Sequence, residues 1–413
     1  MNEGCESRRY EECREYITSS VRQRIDLTRE VEDAEIQEMI DDLVVRTGRK
    51  YALSLAQRQE LGKRVFHSIR KMDVLQELVD CDEVTEIMVN GTENIFVEKA
   101  GCIYEWEKHF ETREKLEDVI QQIVAKCNRV VNEASPIADA RLENGSRVNI
   151  VLAPVALNGP IITIRRFPDH PISMEDLIGF GSITRQAADF LEKLVVAGYN
   201  IFISGGTGSG KTTFLNALSH YIPRTERVIT IEDSAELQLQ GIPNLVRLET
   251  RNANMDGARE ITIRDLIKSA LRMRPDRLIV GEVRGSETID MLQALNTGHD
   301  GSLSTGHANS SNDMLTRLET MVLMGLDLPL AAVRRQIASG VDIVVHLGRL
   351  RDKSRRVLEI VEIIGYEHNE IITVPLYQFQ ETGEENGRVL GEFVKTDELT
   401  HVGKLHSAGF RIA

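Results

Sequence analysis

The segment Gly205-Gly206-Thr207-Gly208-Ser209-Gly210-Lys211-Thr212 places four glycines in six positions ahead of a lysine and a threonine. Glycines allow successive backbone amides to turn inward and form a concave anion site, to which a following helix adds its positive end. At this spacing Lys211 reaches toward β- and γ-phosphates, and the Thr212 hydroxyl is placed to ligate Mg²⁺. A glycine-rich stretch can also be a plain turn. Here an apolar strand pattern (Asn200 to Ser204) precedes it and an apolar-periodic helix pattern starts at Lys211, the setting the spacing demands. The expected nucleotide contacts are Gly205, Gly206, Thr207, Gly208, Ser209, Gly210, Lys211, Thr212 and Thr213, with ATP and Mg²⁺ as ligands.

A phosphate cradle hydrolyses nothing by itself. The reaction also needs a charge sink at the metal, a group that orients water and a cation for the developing negative charge. RVITIEDSAEL presents Glu232 and Asp233 at a strand end, and RLIVGEVRGSE presents Glu282, where open α/β sheets bind ligands. Such strand-end carboxylates also serve as helix caps. Glu282 is one methylene longer than the aspartate usual at a metal-coordinating strand end and can act on Mg²⁺ through water. His307, on the glycine-rich turn of GSLSTGHANSS, is either structural or a sensor of the γ-phosphate by hydrogen bond. Two basic clusters, ARLENGSRVN (Arg141, Arg147) and TIRRF (Arg165, Arg166), are either solvated strand edges or guanidiniums that close over phosphate as an arginine finger does. Strand alternation puts Arg166 on the face of Ile162 and Ile164 and leaves Arg165 on the opposite one.

At 413 residues the chain is long enough for two or three domains. Its net charge of −14 argues against generic nucleic-acid binding, and no direct nucleic-acid partner is expected. No stretch has the roughly 20 apolar residues of a membrane span, and the N-terminus lacks the apolar core of a signal peptide, so a cytoplasmic location is expected. The five cysteines include no CxxC pair, which suggests neither a disulfide framework nor a zinc site.

Residues 1–75 read as a helical N-terminal region and 76–168 as an α+β domain with strand candidates TEIMVN, NIFVEK, CIYEWEK, RVNIVLAP and PIITIRRF. A helical stripe in that domain runs through Leu116, Ile120, Ile123, Val124, Cys127, Val130 and Val131. Residues 169–183, flanked by Pro168 and containing Pro171, Gly179 and Gly181, read as a linker about which two lobes can rotate. Strand and helix patterns alternate across 184–348, the mark of an α/β domain with a mostly parallel sheet, and 349–413 read as its C-terminal α+β extension.

In order along the chain, GGTGSGKTTFLNAL, ITIEDSAELQL, SALRMRPDRLIVGEVRGSE and GSLSTGHANS resemble the Walker A, Asp box, Walker B and His box of the secretion ATPase superfamily. ITEIMVNGTENIFVE, ARLENGSRVN, ITIRRF and RRVLEIVEIIGYE resemble the CpaF-type ATPase of tight-adherence (Flp) pili, over roughly residues 76 to 410. The resemblance implies a RecA-like P-loop ATPase domain in a homohexamer, with ATP between the two lobes of each subunit, working with inner-membrane platform proteins on the cytoplasmic face of that membrane. It implies Lys211 and Thr212 at phosphate and Mg²⁺, Glu232 as the base that orients water and Glu282 as the Mg²⁺-associated acidic residue, two roles that could be exchanged. His307 becomes a γ-phosphate or interface sensor. Arg147 and Arg165 become the arginines nearest the γ-phosphate, ahead of Arg141 and Arg166. The expected function is a motor for pilin assembly or secretion; a type IV secretion traffic ATPase moving protein or DNA is the alternative. A nucleotide-sensing scaffold without turnover is disfavoured by the presence of both glutamates.

Overall fold

Apolar residues at helical spacing build three opening helices, α1 (Glu3–Arg24), α2 (Asp33–Lys50) and α3 (Leu55–Arg70). They close on a shared core of Cys13, Ile17, Val21, Ile36, Ile40, Leu43, Leu61 and Val65. The computed structural model describes residues 3–25, 31–51, 53–99, 101–127, 130–167, 171–251 and 259–410. The chain divides into two units, Met1–Asp169 and His170–Ala413.

In the first unit a short helix α4 (Gln76–Val79) leads into β1 (Val84–Asn90), β2 (Asn94–Lys99), β3 (Cys102–Glu105), α5 (Arg113–Lys126), β4 (Ile137–Arg141), β5 (Arg147–Val151) and β6 (Ile161–Arg165). The strands form one sheet in the order β3-β2-β1-β6-β5-β4, antiparallel throughout. One face buries Ile87, Val89, Val148, Ile150, Ile162 and Ile164 with Leu116, Ile120 and Ile123 of α5, so every other residue of each strand faces away from that core. Arg14 of α1, 7% exposed, pairs with Glu11 and Glu111 and so ties the helical region to this domain. The expected stripe to Val131 is cut short: Cys127 leaves helical geometry after Lys126, and Val130 is exposed while Val131 is buried.

The expected linker carries structure. Pro168 and residues 169–170 lie outside the described residues, but α6 (Met174–Gly179) follows, opened by a capping box between Ser173 and Asp176. Met174 and Leu177 are buried in the core of the second unit. Six residues are too few to show periodicity in the sequence.

The second unit continues with α7 (Arg185–Val196), β7 (Ile201–Gly205), α8 (Lys211–Ser219), β8 (Arg227–Glu232), β9 (Asn244–Glu249), α9 (Ile263–Ala270), β10 (Arg277–Val280), α10 (Thr288–Leu295), β11 (Leu303–His307), α11 (Ser311–Gly325) and α12 (Leu330–Gly340). It ends in β12 (Ile343–Arg349), β13 (Arg355–Glu367), β14 (Glu370–Glu385), β15 (Arg388–Lys395) and the short α13 (Gly403–Ser407). The nine strands form one sheet in the order β15-β14-β13-β12-β7-β11-β10-β8-β9. Pairing is parallel from β9 to β12 and antiparallel from β12 to β15. The C-terminal extension therefore lengthens the sheet itself. Alternate strand residues feed two cores. Ile201, Ile203, Ile279 and Val345 pack with α7 and α8, while Phe202, Val280 and Val344 pack with α9 to α12. Burial on both faces explains why these strands read as unbroken apolar runs.

At the opposite edge from the glycine loop, Arg277 opens β10 with 2% of its surface exposed. It pairs through two nitrogens with Glu226 and donates to the carbonyls of Val195 at 2.6 Å and Gly301 at 3.4 Å. A Cβ on Gly301 would stand 2.6 Å from its guanidinium. Glu226→Ala leaves this buried cation without its carboxylate, and chemical denaturation should register a loss of about 3 kcal/mol; a loss below 1 kcal/mol would show that the carbonyls alone satisfy it.

Candidate functional site

The carboxyl ends of β7, β8, β10 and β11 meet at one edge of the sheet and carry Gly205, Glu232, Glu282 and His307. Glycine is required in the loop that leaves β7. Gly208 and Gly210 adopt φ of +70° and +93°, and a Cβ on Gly205 would lie 2.5 Å from the Leu347 carbonyl oxygen. Gly210 sits at the N-cap of α8, so the helix begins at Lys211 with its free amides toward the loop. Thr212 and Thr213 occupy the first turn of that helix.

Lys211 is 8% exposed, and its ammonium donates to the Gly205 and Gly206 carbonyls at 3.1 and 3.0 Å. His307 Nδ1 lies 3.2 Å from the same nitrogen, while its Nε2 lies 2.9 Å from Glu282 Oε1. A lysine can only donate, so Nδ1 accepts and Nε2 carries the ring proton, while Glu282 Oε1 stands near it without a hydrogen-bond partner. Desolvation, aided by Lys211 and Arg284 and opposed by Glu282, holds the His307 pKa below its ordinary value and keeps the ring neutral. Arg284 donates to Glu282 Oε2 at 2.8 Å and lies 3.9 Å from Asp233. Sequence reasoning missed Arg284, although it stands two residues after Glu282.

Glu232 is 3% exposed. Its Oε2 accepts the amides of Glu236 and Leu237, both at 2.7 Å, while the buried Oε1 has no hydrogen-bond partner. Burial pushes its pKa up to about 7 against the lowering by those two amides. A Cβ on Gly281 would come within 3.0 Å of Glu232 Cγ, so the glycine before Glu282 makes room for the other carboxylate. An acid poised near neutrality with one unsatisfied oxygen suits proton transfer to or from water. Asp233 instead accepts from Thr250 Oγ1 at 2.9 Å.

The arginines belong to the first unit. Arg141, Arg147 and Arg165 stand side by side across β4, β5 and β6 on the face away from the core, and Glu86 of β1 follows opposite Arg165. Arg141 donates to Gly145 O at 3.1 Å, and Arg147 lies 3.7 Å from Asp139. Like charges directly opposed in a sheet are destabilising, by up to about 1 kcal/mol per pair. Arg166 is spent elsewhere: on the core side it donates to the carbonyls of Cys81 and Val84 and reaches Asp82.

ATP and Mg²⁺ fit these residues. The loop backbone, Lys211 and α8 would hold phosphate oxygens, with Thr212 and Glu282 toward the ion. Among the described residues no three His, Cys, Asp or Glu side chains gather as a protein-only metal site.

A parallel sheet ending in this glycine loop, with acidic strand ends beside it, defines an ATPase of RecA-like fold. The chain belongs to the type II/IV secretion system protein family, whose profile matches residues 69–393. It is 34% identical over 293 residues to a putative conjugal transfer protein of Mycobacterium tuberculosis, covering 70% of this chain and 83% of the relative. The conjugal transfer protein TrbB of Rhizobium radiobacter is 34% identical over 312 residues (75% and 93%), and the type IV secretion system protein PtlH of Bordetella pertussis is 32% identical over 315 residues (70% and 93%). In fold, the chain is similar to the ATPase DotB of Yersinia pseudotuberculosis, with a TM-score of 0.52 at 17% identity over 72% of this chain and 79% of that one.

Because the folded-state pKa of Glu232 is raised, the folded chain binds the extra proton between pH 4.5 and about 7. Its contribution is favourable below pH 4.5 and is lost as pH rises through that window, at a cost of roughly 3 kcal/mol. Glu232→Gln keeps an acceptor for both amides and removes the charge. Its stability relative to wild type, measured by urea unfolding, should rise between pH 4.5 and 8; a difference independent of pH would refute the buried-acid assignment.

Proposed function

We propose that the chain is a hexameric, ATP-driven motor of a secretion or pilus machine at the cytoplasmic face of the inner membrane, acting on membrane platform proteins. The observation that carries this reading is the contact of Lys211 with His307 and of His307 with Glu282, which couples the phosphate-binding lysine to an acidic strand end through one neutral ring. In this reading Glu232 accepts the proton of the attacking water, its pKa near 7 matching the task. Thr212 and Glu282, together with phosphate, would hold Mg²⁺, which would supply a charge sink for the phosphoryl oxygens. His307 reports the γ-phosphate to Lys211 and Glu282.

Arg147 and Arg165 supply guanidiniums to the γ-phosphate. Arg141, Arg147 and Arg165 line up across one face of the sheet, a donor set suited to phosphate oxygens, which supports the reading. Loss of the γ-phosphate removes the anion that orders these groups, so hydrolysis changes which arrangement of them is favoured. The domain boundaries follow: helical region 1–75, arginine-bearing domain 76–168, ATPase domain 184–348 and extension 349–413.

The CpaF-type motifs favour tight-adherence pilin assembly. The names of the relatives, conjugal transfer and type IV secretion proteins, favour a second reading, transport of protein or DNA by a type IV secretion machine. Affinity capture of the membrane partner separates the two.

Lys211→Ala should lose nucleotide binding and hydrolysis, whereas Glu282→Gln should bind nucleotide with turnover reduced by about 100-fold or more. Phosphate release and fluorescent-nucleotide titration measure both; substantial turnover in the two variants would overturn the site.

A further inference from the structure

The basic hairpin LGRLRDKSRRVLE enters none of the roles above, yet β12 lies parallel to β7 with Leu347 opposite Gly205. The β12–β13 hairpin therefore leaves the sheet beside the glycine loop. Its turn is fixed. Asp352 accepts from the Ser354 amide and hydroxyl at 2.9 and 2.6 Å and from the Val389 amide of β15 at 2.9 Å. Arg351 pairs with Glu381 and Glu384 of β14, and Arg356 lies over the Phe379 ring and donates to Val389 O. Arg355 is the next residue along the strand and points the other way. Its Nε donates to the Gly208 carbonyl at 2.9 Å.

That carbonyl shares a peptide with the Ser209 amide, which donates to Gly206 O at 3.3 Å. The Gly208–Ser209 peptide is thus held at both ends, from inside the loop by Gly206 and from outside by Arg355. Gly208 adopts φ +70°, a conformation that glycine takes without strain and that leaves the orientation of this peptide to its hydrogen bonds. A flip would break the Ser209 bond to Gly206 and turn a carbonyl into a loop that has to hold an anion.

We infer that Arg355 is a positioning residue that braces the glycine loop through the Gly208 carbonyl, holding the Gly208–Ser209 peptide in its turn so that this carbonyl faces out of the loop. The inference rests on the nucleotide-binding reading of that loop. Arg355 opposes Arg349 across the hairpin, a like-charge pair that surface solubility alone does not call for.

The test exploits geometry. In Arg355→Gln the side-chain amide nitrogen takes the place of Nε, keeping the hydrogen bond and removing the charge; Arg355→Ala removes both. In the full chain, with fluorescent ATP and ADP as probes, the alanine variant should bind both about tenfold more weakly. The glutamine variant should stay close to wild type. Hydrogen exchange of the peptide spanning Gly206 to Lys211, measured without nucleotide, should be faster in the alanine variant alone. Equal weakening in both variants would show that the charge acts on the ligand and would overturn the brace, as would wild-type affinity and exchange in the alanine variant. Wild type that fails to bind nucleotide would sink the reading of the loop, while the exchange comparison would still decide the brace.

Discussion

An anion held by backbone amides needs a loop whose peptides face inward and stay there, and the second unit is arranged around that requirement. The loop springs from β7, a strand buried on both faces, so its first residue has almost no positional freedom. On one side β12 brings the Leu347 carbonyl so close that Gly205 cannot carry a side chain. On the other side β11 brings His307 to Lys211. Helix α8 then starts within two residues of the last positive φ, and its amides extend the cradle.

The same edge accumulates groups that burial disfavours. Glu232 is sunk beneath the surface with one oxygen unpartnered, at a cost near neutral pH comparable to a sizeable share of a domain's net stability. The space for it comes from Gly281, the residue before the second strand-end glutamate. On the first unit, the Arg141–Arg147–Arg165 row concentrates positive charge on one sheet face. Neither arrangement is what stability alone would select. In the proposed function the buried acid serves as a base near neutrality.

Features written in local spacing were legible in the sequence. The glycine loop, its flanking strand and helix, the acidic strand ends and the split between Arg165 and Arg166 all follow from neighbours in the chain, and Arg166 indeed turns to the core side. Features that depend on register were not. Arg355 meets Gly208 only because β12 pairs with β7, a contact between distant segments with no periodic signature. The burial of Glu232 depends on the turn to Leu237 and on Gly281, and α6 is too short to leave a stripe. β4, Ile137–Arg141, leaves little pattern in the sequence and overlaps the basic cluster only at Ala140 and Arg141, yet its pairing with β5 sets the arginine row.

The central proposal is that Lys211, His307 and Glu282 read the γ-phosphate held on the glycine loop. The direct measurement is the ratio of dissociation constants for ADP and a non-hydrolysable ATP analogue, in wild type and in the His307→Ala variant. The account predicts that wild type prefers the triphosphate, and that the variant loses most of this preference while its ADP affinity changes little. An unchanged preference in the variant would contradict it.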